Sequence, residues 1–120
     1  MAAEYVVGRV DDLPEGTHRV CEVGGREIGV FNVKGSYYAL PSNCYHQNGP
    51  LCRGAVSGTI EATLETGWKP TWVREGEIII CPWHTMEFDI TTGRCLAEPR
   101  RRVPTYKVTV VNSEIKVSIP

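Results

Sequence analysis

Apolar and polar positions alternate along this chain in short runs, and the runs are broken at close intervals by Gly, Pro, Asn and Asp. Period-two alternation bounded by turn residues predicts strands, and no stretch sustains the 3.6-residue period of a helix. Tyr5–Val10 is the first predicted strand, followed by a turn at Asp11-Asp12-Leu13-Pro14-Glu15-Gly16. Thr17–Val23 and Arg26–Val33 flank Gly24-Gly25, a two-residue hairpin signal. Lys34-Gly35 turns the chain into Ser36–Leu40. After the middle of the chain, Glu77–Ile80 reads as a buried strand, and Met86–Ile90 pairs with Arg94–Leu96 across Thr91-Thr92-Gly93. Tyr106–Val111 and Glu114–Ile119 close on Asn112-Ser113. The pattern predicts an all-β protein, an antiparallel sandwich or small barrel built as a meander.

At 120 residues, with no repeat, linker or low-complexity segment, the expected organisation is one domain over 1–120. A chain of this size buries a core without disulfides. Its formal charge of −1, from 13 basic and 14 acidic residues, makes no global case for nucleic acid or a membrane surface. No window has the apolar length of a membrane-spanning helix, and Met1–Val10 carries no signal-peptide pattern. Five cysteines, an odd number, argue against a secreted disulfide framework. A cytoplasmic protein is expected.

The chemistry is concentrated in two short segments, Cys44-Tyr45-His46 and Cys81-Pro82-Trp83-His84. Each offers one thiolate and one imidazole from a turn-rich stretch. One such pair is readily a packed Cys and a packed His, but two mixed pairs in one small chain point to a metal site. Tetrahedral zinc is possible on ligand count, although zinc fingers pair Cys with Cys and His with His. A two-iron centre in which two His replace two Cys on one iron needs this donor set. His18 stands apart on the second predicted strand and is expected to be a surface residue; Cys21 and Cys95 are expected to pack.

With those residues in view, the chain resembles the Rieske family, closest to its small soluble ferredoxins. C-x-H followed by C-P-W-H carries the likeness, supported by Gly49-Pro50-Leu51, Phe88-Asp89, Thr92-Gly93 and the strand Tyr106–Val110. The resemblance implies a Rieske-type β-sandwich with a cluster-binding subdomain formed by two loops, and one [2Fe-2S] cluster per chain. It implies Cys44 and Cys81 on the inner iron and His46 and His84 on the outer. It further implies a monomeric electron carrier, not itself an enzyme, between an NAD(P)H-dependent ferredoxin reductase and a terminal oxygenase of the ring-hydroxylating type. In respiratory relatives the second motif carries a bridging Cys, a Ser and a Tyr. Here Trp83, Met86 and Phe88 stand in those places, so no disulfide between the loops and a potential at the low end of roughly −150 to +300 mV are expected. Thr85 stands where many relatives have Gly.

The chain departs from its relatives at about 53–76. His46 and Cys81 are separated by 34 residues, where the soluble ferredoxins it resembles usually have far fewer. Thr59–Leu64 is predicted as a strand and Glu65–Thr71 as a loop, an enlarged hairpin whose Trp68 and Trp72 fill a satellite core; the competing reading is a partner-docking flap. Arg100-Arg101-Arg102 reads as a solvated charge run or, alternatively, a docking patch for an acidic partner. Other functions remain in view: a zinc-stabilised binding module, and a small subunit of a larger reductase such as nitrite reductase. With no histidine beyond His18 left for a mononuclear iron site, a complete oxygenase is excluded.

Overall fold

The computed structural model describes residues 3–43, 49–83 and 85–120. Among them are nine strands: β1 Ala3–Arg9, β2 His18–Val23, β3 Arg26–Val33, β4 Ser36–Pro41, β5 Ala55–Glu61, β6 Thr71–Ile80, β7 Glu87–Asp89, β8 Lys107–Val111 and β9 Glu114–Ile119. They form three antiparallel sheets of three strands, in the orders β1-β9-β8, β2-β3-β4 and β5-β6-β7. Single 3₁₀ turns at Val10–Asp12 and Leu51–Arg53 are the helical elements of the described residues, and no helix is long and apolar enough to cross a membrane.

The tight hairpins follow from turn chemistry. Gly24-Gly25, Lys34-Gly35 and Asn112-Ser113 all have positive φ at both positions. That is the type I′ geometry whose twist matches paired strands. The registers Val23↔Arg26, Val33↔Ser36 and Val111↔Glu114 close these two-residue loops.

β3 explains how the sheets stack. From Gly29 to Val33 every residue is buried, the near-continuous pattern of a strand covered on both faces. Ile28 and Val30, with Ala39 of β4, pack against Ile115, Val117 and Ile119 of β9. Phe31 and Val33, with Leu40, pack on the other side with Leu51, Cys52, Ile79, Cys81, Phe88 and Cys95. The β2-β3-β4 sheet is therefore the middle layer, with a separate core on each face. Tyr106 N–H donates to Ala39 O at 2.9 Å and stitches β4 to the start of β8. Asn32, buried within the layer, is satisfied: its Nδ2 donates to Leu13 O and its Oδ1 accepts from Gly35 N–H, both at 2.9 Å.

The segment expected to form a hairpin does so, β5 pairing antiparallel with β6, and two details differ from expectation. The predicted strand Thr59–Leu64 begins earlier and ends at Glu61, and the connection 62–70 is a wound loop. Thr63 O accepts from both Thr66 Oγ1 and Trp68 N–H, and Gly67 and Trp68 take positive φ, so the chain coils before it can continue extended. Nor do the tryptophans fill a satellite core. Trp68 is 67% and Trp72 55% exposed, because among the described residues no layer covers the hairpin tip. Trp72 Nε1 instead donates to Glu75 Oε2 at 2.7 Å.

Candidate metal centre

Cys44, His46 and His84 lie outside the described residues; Cys81 lies within them. β6 delivers it: the apolar end of that strand, Ile78-Ile79-Ile80, is held between β5 and β7. Cys81 is buried, and its thiol is free of any disulfide. The loop beyond it is closed on itself, since Cys81 N–H donates to Met86 O at 2.9 Å and Thr85 N–H donates to Cys81 O at 3.0 Å. Thr85 sits at φ +54, a left-handed region that Gly enters without steric cost and a Thr side chain does not.

The segment following the first motif is brought onto this loop by strand pairing. β5 enters the sheet with Ala55 opposite Ile80. Just before it, Gly54 runs so close that a Cβ there would overlap the Ile80 carbonyl. Gly49, three residues after His46, rests against the second motif: a Cβ there would come within 3.0 Å of Cys81 Sγ and 3.2 Å of Trp83 Cβ and Cγ. A glycine is needed where backbone approaches that sulfur. A free buried thiol with close-packed backbone beside it fits an iron–sulfur ligand, whose sulfur takes hydrogen bonds from neighbouring amides. Among the described residues no three His, Cys, Asp or Glu side chains gather as an alternative metal site.

The base of the first ligand loop is tied by residues that the motif pattern did not single out. Ser42, two before Cys44, and Cys52, six after His46, are both buried, and Cys52 N–H donates to Ser42 Oγ at 3.1 Å. Cys52 Sγ–H points back to the carbonyls of Leu40 and Pro41, at 3.6 and 3.5 Å. Burial pushes this thiol up to about 12. Gly29 makes room for it, since a Cβ at 29 would meet Cys52 Sγ at 2.6 Å. Cys52 is thus a packed thiol with no disulfide partner, as are Cys21 and Cys95.

His18 belongs to the same support. It is half-buried rather than a free surface residue, stacked on Phe31 with ring centroids 5.0 Å apart and planes 8° from parallel. Its Nε2 lies 3.0 Å from Cys52 O. A carbonyl only accepts, so Nε2 carries the proton. The signal for this network was weak in the sequence, because Ser, Cys and His at positions 42, 52 and 18 become neighbours only through the β2-β3-β4 layer.

Trp83 is exposed, Met86 packs partly into the core, and Phe88 is fully buried. None of the three side chains donates a conventional O–H hydrogen bond.

The sequence profile of the Rieske [2Fe-2S] domain matches residues 3–107. The chain is 29% identical to the ferredoxin component of naphthalene 1,2-dioxygenase/salicylate 5-hydroxylase systems of a Ralstonia species, over 92% of this chain and 89% of that protein. It is similar to the solved ferredoxin of carbazole 1,9a-dioxygenase from Nocardioides aromaticivorans IC177, with a TM-score of 0.71, 29% identity and 95% of each chain covered. A solved complex of reduced oxygenase and oxidised ferredoxin of carbazole 1,9a-dioxygenase shares the fold at a TM-score of 0.72 and 24% identity, over 96% of this chain and 92% of that one. A match over most of its length, on three antiparallel sheets with Cys81 at the tip of the third, shows that this chain belongs to the Rieske [2Fe-2S] domain family.

Proposed function

We propose that Cys44, His46, Cys81 and His84 hold one [2Fe-2S] cluster per chain, with the two thiolates on one iron and the two imidazoles on the other. When bound, such a cluster supplies a one-electron couple. The chain's own part is to hold four donors from two loops at a fixed separation. The observation that carries this reading is the seating of Gly49 against Cys81 Sγ and Trp83, which sets the segment beyond the first motif on the second.

The protein is an electron-transfer component, not a catalytic subunit. It carries single electrons from an NAD(P)H-dependent ferredoxin reductase to a terminal oxygenase of the ring-hydroxylating type, as the names of its relatives suggest. We place it in the cytoplasm, as a monomer, with residues 1–120 forming one domain enlarged at about 53–76. Its potential lies at the low end of the Rieske range, because Met86 and Phe88 offer no hydroxyl to the site.

Visible and EPR spectra of aerobically purified protein, taken before and after dithionite, test this directly. The expected result is a red-brown protein holding two irons and two sulfides, which bleaches and gains a rhombic signal of average g below the free-electron value. Cys81→Ser should abolish it. A colourless protein holding a single zinc would overturn the reading.

A further inference from the structure

The segment from Arg94 to Arg102 carries four arginines against Glu98, a local charge of +3 that leaves −4 for the rest of a chain whose total is −1. The charge is segregated rather than mixed. All four arginines are exposed. Arg94 and Arg102 stand directly opposite in an isolated antiparallel bridge, where like charges destabilise the pairing. Arg101 pairs with Glu98 at 3.4 Å, whereas Arg94, Arg100 and Arg102 have no acidic side chain in ion-pair range among the described residues. Elsewhere Arg53 is matched by Glu27 and Arg74 by Asp89, both at 2.6 Å.

The frame beneath is hydrogen-bonded and anchored in the core. Cys95 N–H donates to Arg101 O at 3.0 Å and Val103 N–H to Gly93 O at 2.9 Å. Cys95 and Val103 are buried, so the alternation that sinks them lifts Arg94 and Arg102 outward. Arg94, Pro99, Arg100 and Arg102 line an open depression of about 600 Å³. The patch reaches the Cys81 loop through two adjacent residues: Leu96 N–H donates to Glu87 O, at the start of β7, and Cys81 N–H to Met86 O, the residue before it, each at 2.9 Å.

We infer that this arginine face is the docking surface for the acidic face of a protein redox partner. Guanidinium groups on a fixed frame match carboxylates bidentately, and unpaired charge beside an electron-transfer site speeds encounter with an oppositely charged protein. A nucleic acid is disfavoured because the patch is short and the remaining surface, at −4, repels a polyanion. The inference rests on the electron-carrier reading and adds the chemistry of the partner.

The test uses the cluster-loaded full chain, reduced with dithionite, freed of excess reductant, and mixed in stopped flow with an acidic haem protein, cytochrome b5, or a basic one, cytochrome c. One electron passes from the protein to ferric haem. With wild-type protein the cytochrome b5 rate should fall as NaCl rises. Arg94→Gln, Arg100→Gln and Arg102→Gln combined should lower the low-salt rate about tenfold and flatten its salt dependence, without slowing cytochrome c. Arg26→Gln, at the exposed start of β3, should change neither rate. A wild-type cytochrome b5 rate that is indifferent to salt, or an equal loss with Arg26→Gln, overturns the docking surface. So does patch-dependent binding of a DNA duplex in fluorescence anisotropy, or self-association that the triple variant abolishes. Wild-type protein that reduces neither haem protein overturns the carrier reading instead.

Discussion

Cys52 N–H donates to Ser42 Oγ at 3.1 Å with both residues buried, and this bond closes the base of the loop that carries Cys44 and His46. Ser42 N–H in turn donates to Glu27 O at 3.0 Å, so the loop base is anchored to the start of β3. Ser42→Ala leaves a buried N–H without an acceptor, which costs about 1–3 kcal/mol. Urea unfolding of the two proteins measures it. A loss under about 0.5 kcal/mol would show that the loop base is held by other means.

Burial that lifts the Cys52 thiol to about 12 keeps it protonated at neutral pH, and the thiol is not reachable from solvent. Native protein treated with iodoacetamide at pH 8 should therefore leave Cys52 unmodified, while urea-unfolded protein labels fully. Peptide mass spectrometry reads the difference directly. Rapid native labelling of Cys52 would contradict its packing under Gly29.

Gly54 and Gly49 should respond differently to the same added methyl group. Gly54→Ala drives a Cβ into the Ile80 carbonyl, a backbone group that can yield only by breaking the β5–β6 approach, and should cost about 3 kcal/mol or more. Gly49→Ala presses on Cys81 Sγ and the Trp83 side chain at 3.0–3.2 Å, so its main effect should fall on iron content and EPR line shape. Thermal melts and iron analysis of both variants separate the two effects. Equal loss of stability in both would refute the assignment.

The exposed tryptophans should matter little to stability. Trp68→Ala should fall within about 0.5 kcal/mol of wild type and Trp72→Ala within about 1 kcal/mol, the latter losing its contact with Gly58 and its bond to Glu75. Guanidinium unfolding checks both. A cost of several kcal/mol for Trp68→Ala would restore the satellite core.

An ionic cluster ties the third sheet to the middle layer. Lys34 Nζ meets Glu77 Oε2 at 2.8 Å, and Arg74 meets Glu77 at 3.3 Å and Asp89 at 2.6 Å. Burial by itself would raise Asp89, but the hydrogen bonds from Thr91 and Arg74 outweigh it and hold the carboxyl below its ordinary value. The Lys34 hydrogen bond leads in lowering Glu77. A carboxyl depressed in the folded state adds stability above its unfolded pKa, near 4, and that contribution is lost as pH falls through the folded value. Stability should thus fall as pH drops below about 4, and Asp89→Asn should flatten part of the fall. Urea midpoints between pH 3 and 7 measure the slope. An unchanged slope in Asp89→Asn would remove Asp89 from the account.

What the sequence by itself determined was local. Period-two alternation and paired turn residues place β2, β3, β8 and β9 nearly to the residue, because a type I′ turn such as Gly24-Gly25 sets the register of both flanking strands. The spacing of Cys44, His46, Cys81 and His84 likewise needs no coordinates to suggest a metal, since ligand chemistry is written in residue type. Tertiary structure decided everything that depends on which faces are covered. It placed β3 between two cores, left Trp68 and Trp72 in solvent, seated Gly49 on Cys81, and joined Ser42, Cys52 and His18 beneath the loop. It also set Arg94 opposite Arg102. The physical reason is one and the same: alternation states which side chains share a face, but only the stacking of sheets states what that face meets.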